Sequence, residues 1–331
     1  MGVSRPPHIV RVAAILGCWL FLATFARAGE RGPVVLPARS LLTFTPIPLD
    51  RGDPARTRLG ALAWQGGWRM ESNDPRFGGV SALHVAGNGV AAASDTGALF
   101  RFELPGPEGG VVRVRVSELA VAGADPADKR DRDVEAMAAH GDKAWVALER
   151  RNAVGRFALP GWQAEASARP AAMRRWRGNR GAEAIVRLRD GRFLVFAEGE
   201  GASSPVVLFD SDPARAGARA TRLLYRPPRG YRITDAAALP DGRLLLLNRR
   251  FAWLEGFSAI LVVAGAPAPG EAIRGREIAR FRLPVATDNM EALAVGREQG
   301  RTILWIASDD NFSPLQRSLL LKFILDEDAG R

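Results

Sequence analysis

Four acidic residues recur at nearly equal intervals in this 331-residue sequence, and each one opens a phrase of an acid followed by alanine. They are Glu135, Glu183, Asp235 and Glu291, separated by 48, 52 and 56 residues. A related phrase begins at Ser81, which lies 54 residues before Glu135. Carboxylates bind hard cations and accept protons, so a set of them gathered in one place could hold a metal ion or activate water.

A second set of polar residues follows each phrase at a fixed distance. Each phrase leads into an apolar run, then a turn, usually with Gly beside Asp or Asn, and then a second apolar run that ends on polar residues. The start of one strand and the end of the next antiparallel strand lie at the same end of a hairpin. We therefore expect one face to carry both the phrase acids and the following residues: Asp95, Glu149, Glu198, Glu200, Asn248, Asp309, Asp310 and Asn311.

Short strands that recur with a period of about fifty residues are typical of a β-propeller, in which each repeat forms one blade. The sequence shows five clear repeats and a divergent one from Leu41 to Met70. We therefore predict an all-β fold, a single propeller of six blades of antiparallel strands. The apolar segment from Leu319 to Leu325 is predicted to pair with an N-terminal strand, because such closure removes exposed edges from the ring.

The innermost strand of each blade lines the central channel, so the phrase acids are predicted to form a ring at one channel mouth. Oxygen ligands without His or Cys suit Ca²⁺ better than Zn²⁺. Two arginines in the same loops, Arg150 and Arg249, are predicted to contact a phosphate group, because guanidinium binds such oxyanions in a bidentate way. The predicted metal ligands are Glu135, Glu183, Asp235, Glu291, Asp95 and Asp309.

Two alternatives fit the same residues. The acids could be ordinary strand-end residues that hydrogen-bond their own backbone, pair with nearby arginines and hold one blade to the next. The mouth could also bind a ligand or a protein partner without catalysis. A carboxylic esterase is a weaker interpretation, because neither Gly79-Val80-Ser81-Ala82-Leu83 nor Gly256-Phe257-Ser258-Ala259-Ile260 has the last glycine of a nucleophile elbow.

The first residues predict an export signal. Arg5 and Arg11 precede an apolar run over 12–26, and Ala26-Arg27-Ala28 is a small-x-small cleavage site. We predict a signal peptide over 1–28, a propeller domain over 29–331, and a periplasmic or secreted protein. Cys18, the one cysteine, lies inside the apolar run, which favours cleavage near Ala28 over lipid attachment.

The composition excludes several classes of protein. With 35 Gly, 22 Pro and 25% charged residues, the sequence is typical of a turn-rich globular protein rather than a disordered one. Loss of Arg5, Arg11 and Arg27 with the signal lowers the formal charge from +10 to +7. The arginines are scattered without a basic stripe interleaved with aromatics, so nucleic-acid binding is not expected.

No segment after the signal is long and apolar enough to cross a membrane. We also expect the protein to be a monomer.

Several short stretches resemble the phytase-like family, which is also called "esterase-like activity of phytase". Similarity extends from about Leu59 to Leu325. The stretches that carry it are Phe77-Gly78-Gly79-Val80-Ser81-Ala82-Leu83, Ser94-Asp95-Thr96-Gly97, Asp133-Val134-Glu135-Ala136, Asn179-Arg180-Gly181-Ala182-Glu183-Ala184, Asp288-Asn289-Met290-Glu291-Ala292 and Ser308-Asp309-Asp310-Asn311-Phe312.

The resemblance implies an exported six-bladed propeller that hydrolyses phosphate or carboxylic esters. Together with the acidic mouth, it leads us to expect a divalent-metal-dependent hydrolase that acts on a small anionic ester, with Ca²⁺ as the expected cofactor. The sequence assigns no nucleophile or general base.

Overall fold

The computed structural model describes residues 36–121, 128, 131–177, 179–199, 201–267, 270–326 and 328. Residues 37–331 form one unit, and of the other unit, residues 1–36, only Leu36 is described. The predicted signal peptide over 1–28, Cys18 and Glu200 lie outside the described residues, and the predicted domain boundary at residue 29 stays a prediction. No helix in the described ranges could span a membrane.

The described chain is built from β-strands, as the short apolar runs between turns predict. Alternating burial along the outer strands and continuous burial along the middle ones place the middle strands between two packed layers. The strands are β1 (Leu41–Pro46), β2 (Arg58–Leu59), β3 (Leu62–Ser72), β4 (Val80–Ala86), β5 (Gly89–Ser94), β6 (Ala98–Glu103), β7 (Gly110–Arg113), β8 (Arg115–Glu118), β9 (Val134–His140), β10 (Lys143–Leu148), β11 (Ala153–Ala158), β12 (Gln163–Ala168), β13 (Ala182–Arg187), β14 (Phe193–Ala197), β15 (Ser204–Phe209), β16 (Ala220–Tyr225), β17 (Arg232–Ala238), β18 (Leu244–Ala252), β19 (Gly256–Ala264), β20 (Gly275–Phe281), β21 (Asn289–Glu298), β22 (Arg301–Asp309) and β23 (Leu319–Leu325).

These strands form four regular sheets of four strands and one larger sheet. Blade I contains β4, β5, β6 and β8, blade II β9–β12, blade III β13–β16, and blade IV β17–β20. The larger sheet, here called the closing sheet, has the order β21-β22-β23-β3-β1-β7, with β2 paired to β3. The all-β single propeller is confirmed, but the predicted count of six blades is wrong.

The difference arises at the N-terminus. The divergent repeat from Leu41 to Met70 does not form a blade of its own, because β1 and β3 join the closing sheet. Strand β23 pairs antiparallel with β3, in register from Leu319 opposite Arg69 to Leu325 opposite Leu62. The predicted closure by strands from both chain ends is therefore confirmed, and it covers an edge that would otherwise be open.

The core lies between neighbouring sheets rather than at the channel. The innermost strands β4, β9, β13, β17 and β21 contact one another in sequence, and β21 contacts β4 to complete the circle. Five apolar clusters fill the five gaps between sheets. Each cluster takes one face from either neighbouring sheet, so that burial of these faces holds the propeller together.

Candidate functional site

Each innermost strand carries a β-bulge at the same place, near the start of the strand. In blade II, Ala136 pairs with Ala147 and Val134 with Leu148, so that Glu135 has no residue opposite it. Such a bulge redirects a side chain and recurs next to active sites. The residues at this bulge are Ser81, Glu135, Glu183, Thr234 and Glu291.

Three of the five bulge residues are glutamates whose side chains remain partly accessible to solvent. The pKa of Glu135 is raised well above its ordinary value by burial, and next by the charge of Glu183. The pKa of Glu183 is likewise raised by burial and then by nearby carboxylates, Glu291 among them. The inner strands contact one another in sequence and carry the bulge at the same end, so the structure places Glu135, Glu183 and Glu291 at one channel mouth.

The other two bulge residues are hydroxyl residues that link neighbouring sheets. The Ser81 hydroxyl donates a hydrogen bond of 2.5 Å to the carbonyl oxygen of Val134, which belongs to blade II. The Thr234 hydroxyl donates a bond of 3.1 Å to the carbonyl oxygen of Met290 in the closing sheet. Both carbonyls belong to the residue just before a bulge glutamate, so these bonds fix the strand ends that carry Glu135 and Glu291.

Asp235 is set apart from the three glutamates. Thr234 takes the bulge position in blade IV, and Asp235 pairs normally with Leu247. The Asp235 carboxylate is buried and accepts two backbone N–H bonds of 2.7 Å, from Ala236 and from Leu293 of the closing sheet. Burial raises its pKa, and those two hydrogen bonds oppose the rise. Its two oxygens are therefore occupied in holding two sheets together, as the alternative interpretation of the acids expects.

The tightest group of acids contains Asp133, Glu135 and Glu149. One carboxylate oxygen from each lies within 4.8 Å of the other two, and Asp133 and Glu149 are buried. Ligand oxygens lie about 2.4 Å from a bound Ca²⁺, so oxygens on opposite sides of the ion are about 5 Å apart. The spacing and the all-oxygen donor set fit one divalent cation.

The carboxylates of Asp133, Glu135 and Glu149 repel one another, and burial together with this repulsion raises the pKa values of Glu135 and Glu149. Burial, and next the charge of Asp133, raises the pKa of Glu149 to about 7. Glu149 also accepts a hydrogen bond of 3.3 Å from the backbone N–H of Gly181 in blade III. A bound cation would relieve the repulsion between these carboxylates.

Both arginines singled out in the sequence lie at the mouth, where each is paired with an acid. Arg150 Nε lies 2.5 Å from a carboxylate oxygen of Asp133. Arg249 Nη1 lies 2.9 Å from Glu291 Oε1 and also donates to Asn289 Oδ1. The pKa of Glu291 is raised by burial, and the charge of Arg249 opposes the rise. The arginines therefore compensate part of the negative charge in the mouth.

Asp95 and Asp309 lie on the side of the mouth formed by blade I and the closing sheet. Burial, and next the charge of Asp95, raises the pKa of Asp309 well above its ordinary value. Asp309 Oδ1 accepts a hydrogen bond of 2.5 Å from the backbone N–H of Asn311, and Ser94 Oγ donates one of 3.2 Å to Asp95 Oδ1. These two aspartates are close to each other and to Glu291, as predicted from the hairpin geometry.

A glycine explains how the chain passes so close to Asp95. Gly79 has φ of +62°, and a Cβ at this position would lie 2.3 Å from Asp95 Oδ1 and 2.8 Å from the Phe312 ring. The Gly79 N–H donates a hydrogen bond of 3.1 Å to Asp310 Oδ1. A side chain would displace Asp95, so the Phe77-Gly78-Gly79 stretch serves the mouth geometry.

Asp133 is the site residue that sequence reasoning did not assign as a ligand, although it stands in the quoted Asp133-Val134-Glu135 stretch. Asp133 lies just ahead of β9 and two residues before Glu135, and this closeness in the sequence is a signal that could have joined the two acids. Glu149 was placed on the mouth face by the hairpin argument but was not selected as a ligand. The Glu149 N–H donates a hydrogen bond of 2.9 Å to the Asp133 carbonyl oxygen, which brings these two acids together.

The sequence over residues 75–312 matches the family Phytase-like, described as esterase-like activity of phytase. This match spans most of the chain and includes all the acidic and arginine residues of the mouth. The chain belongs to the Phytase-like family. The family assignment agrees with the resemblance seen in the sequence motifs. No curated protein sequence matches the chain.

Two solved structures are similar to this Phytase-like protein at low sequence identity. A proposed 6-phosphogluconolactonase from Bacteroides uniformis is 10% identical, with 85% of this chain and 94% of that chain covered and a TM-score of 0.37. The glutaminyl cyclase of Myxococcus xanthus is 11% identical, with 75% and 92% covered and a TM-score of 0.42.

One further carboxylate supports the segment that leads into the mouth of this Phytase-like protein. Asp74 is buried and accepts hydrogen bonds from Arg76 Nη2 at 2.7 Å and from Ser40 Oγ at 2.6 Å. Hydrogen bonding to Arg76, the largest influence, lowers the pKa of Asp74 to about 2. Replacing this group should therefore destabilise the fold in a pH-dependent way.

We expect Asp74→Asn to lower the free energy of unfolding by about 2 kcal/mol at pH 7. A carboxylate whose folded pKa is depressed stabilises the fold above its unfolded pKa, so the difference between wild type and variant should vanish as pH falls from 4 to 2. Urea denaturation across that range measures it. Asp53→Asn is the matched control, since Asp53 is exposed and its carboxylate accepts a hydrogen bond of 3.2 Å from the nearby Ala55 N–H. A difference that is constant with pH would contradict the prediction.

Proposed function

We propose that this Phytase-like protein is an exported, divalent-metal-dependent hydrolase of phosphate esters that acts at the acidic channel mouth. The observation that supports it most is the convergence of Asp133, Glu135 and Glu149, whose oxygens lie within 4.8 Å of one another. These three carboxylates are the primary candidate ligands. The further candidates on the same mouth are Glu183, Glu291, Asp95 and Asp309.

Ca²⁺ is the proposed cation, because the donor set is all oxygen and no described histidine lies among these acids. His140 lies at the far end of β9, opposite the end that carries Glu135. When bound, a divalent cation supplies Lewis-acid polarisation of a phosphoryl oxygen and lowers the pKa of water. Asp235 is left out of the ligand set, because both its oxygens accept backbone N–H bonds.

The arginines are suited to hold the anionic substrate. Arg150 contacts Asp133 through Nε, and its terminal nitrogens remain to donate to phosphate oxygens. Arg249 contacts its acidic partner through Nη1 and so keeps Nη2 for the same purpose. Each acid fixes the orientation of its guanidinium before substrate binds, which lowers the cost of ordering these side chains. The substrate proposed is a small anionic ester, and the protein is proposed to act as a periplasmic or secreted monomer.

Thermal melting with millimolar Ca²⁺ and with a chelator tests the metal site. We expect Ca²⁺ to raise the Tm of wild type, because a ligand that binds only the folded state stabilises it. In Glu135→Gln the apparent Ca²⁺ affinity should fall about 100-fold, in line with loss of a metal ligand. Glu108→Gln, which removes the same charge from an exposed turn, is the control. An unchanged Tm in wild type would exclude the Ca²⁺ site.

Hydrolysis of a chromogenic phosphate ester then tests catalysis. We expect Ca²⁺-dependent turnover by wild type and by Glu108→Gln, and a loss of at least about tenfold in kcat/KM for Glu135→Gln. Chromogenic carboxylic esters serve as the second substrate class. Turnover of carboxylic esters alone would overturn the phosphate ester assignment.

A propeller that binds its ligand without hydrolysis is the second candidate. The observation that favours it is the pairing of both mouth arginines with acids, Arg150 with Asp133 and Arg249 with Glu291. A Ca²⁺-dependent rise in Tm without turnover of either ester class would support this candidate over the hydrolase.

A further inference from the structure

A large cavity lies on the face opposite the acidic mouth. It has a volume of about 1360 Å³ and lies between blades I and II, beside the segment that precedes β1. Its lining includes Ala86 and Gly89, which close the β4–β5 hairpin, whereas Val80 and Ser94 at the other end of that hairpin lie near Asp95. Six residues of strand separate these ends by about 20 Å. The cavity is therefore separate from the mouth.

The charge of the cavity is opposite to that of the mouth. Four arginines line it, Arg39, Arg101, Arg113 and Arg115, against only two acids. Within the described part of the chain, none of the four arginines forms an ion pair. An unpaired cluster of guanidinium groups raises the local potential for an anion.

Two of these arginines face each other directly. Arg101 on β6 and Arg115 on β8 are partners across the strand pair. Like charges opposite one another destabilise a sheet unless a counter-charge lies between them. In addition, Arg101 Nε is buried and has no hydrogen-bond partner among the described residues, while Arg101 Nη1 donates to the Pro160 carbonyl at 3.2 Å. A bound anion would compensate the facing charges of Arg101 and Arg115 through their terminal guanidinium nitrogens.

The remaining wall is apolar and aromatic. Phe102, Leu104, Val112, Leu159 and Trp162 line the cavity. Trp162 has φ of +62°, a left-handed conformation that a bulky residue rarely adopts, and it is held there by a hydrogen bond of 2.7 Å from its N–H to the Ala158 carbonyl. Non-glycine residues in this conformation are found preferentially at binding sites.

We propose that this cavity binds an amphipathic organic anion. Its carboxylate, sulfonate or phosphate group would contact Arg101 and Arg115, and its apolar body would lie against Trp162 and Leu159. A bidentate guanidinium contact supplies orientation, and the apolar wall supplies most of the buried surface. This inference does not depend on the proposed hydrolase activity, because it concerns other residues on another face.

Titration with 8-anilinonaphthalene-1-sulfonate tests the proposal, because this fluorescent probe joins an aromatic body to a sulfonate. We expect one saturable site per chain on the purified exported protein. Arg115→Gln and Arg101→Gln should each weaken binding about tenfold, and Trp162→Leu should weaken it by a similar factor. Arg276→Gln, which removes an exposed charge from blade IV, is the matched control and should bind as wild type does.

Further measurements separate the alternatives. Octanoate should displace the probe, whereas displacement by inorganic phosphate alone would contradict an amphipathic ligand. Arg115 is exposed, so Arg115→Gln decides the matter if Arg101→Gln fails to fold. Probe binding that is unaffected by Arg115→Gln and Trp162→Leu would overturn the proposal. Glu135→Gln should leave probe binding unchanged, so failure of the mouth proposal remains distinguishable from failure of this one.

Discussion

Replacing Phe323 by alanine should lower the free energy of unfolding by about 4 kcal/mol, which is the range for a fully buried phenylalanine. Phe323 is completely buried in β23, the strand that pairs with the N-terminal strand β3. Its ring centroid lies 5.1 Å from that of Trp64 and 5.7 Å from that of Phe281, both in edge-on geometry. Deletion of the ring would leave a cavity between the closing sheet and blade IV.

Urea denaturation of the purified protein measures this effect, with the linear dependence on urea giving the free energy of unfolding. Leu254→Ala is the matched control, since Leu254 is 95% exposed and its replacement should change stability by less than about 0.5 kcal/mol. A loss below about 1 kcal/mol for Phe323→Ala would contradict the importance of ring closure for stability.

Replacing Arg249 by glutamine should destabilise the protein by about 3 kcal/mol when a chelator is present. The Arg249 guanidinium compensates Glu291, at 2.9 Å, and also lies near Glu183. Removal of one partner from a buried ion pair leaves the other charge uncompensated, at a cost of about 3 to 5 kcal/mol. The side chains of Arg249 and Glu291 retain 28% and 14% exposure, so we expect the lower end of that range.

The reciprocal replacement should cost much less. Glu291→Gln removes a negative charge from a mouth that already contains Glu183 and Asp309, and Arg249 keeps those two acids as neighbours. The double variant should therefore be more stable than Arg249→Gln alone, which a double-mutant cycle by urea denaturation measures. Equal losses from both single variants would show that Arg249 does not act as the compensating charge. Arg276→Gln again provides an exposed control for loss of one arginine.

The strands, and the strand ends that share one face of the propeller, could be predicted because they depend on local sequence. Apolar runs bounded by Gly and Asp specify short strands, and successive antiparallel strands fix which ends share a face. That reasoning placed Glu135, Glu183, Asp235 and Glu291 at one mouth with Asp95 and Asp309. It also identified residues 319–325 as the closing strand, since an apolar strand at an open edge needs a partner.

The number of blades could not be predicted from the sequence in the same way. The segment from Leu41 to Met70 has the composition of a repeat, yet its strand β3 pairs with the C-terminal strand β23, and β1 pairs with β3. Pairing between residues about 250 positions apart depends on which edge is free once the other sheets have formed, which is a property of the whole ring. Repeat counting therefore gave six where the structure has four regular blades and a closing sheet.

The sequence alone determined the propeller class, the recurring acids and the face on which they lie, because these follow from strand periodicity and hairpin geometry. Only the tertiary structure decided which acids lie together. In blade IV, Thr234 occupies the bulge position and Asp235 does not. Packing of the strand ends brings Asp133 and Glu149 close to Glu135. The bulge and the acid group both depend on the packing of one sheet against the next. A one-residue change in register cannot be recognised from the repeated sequence phrases.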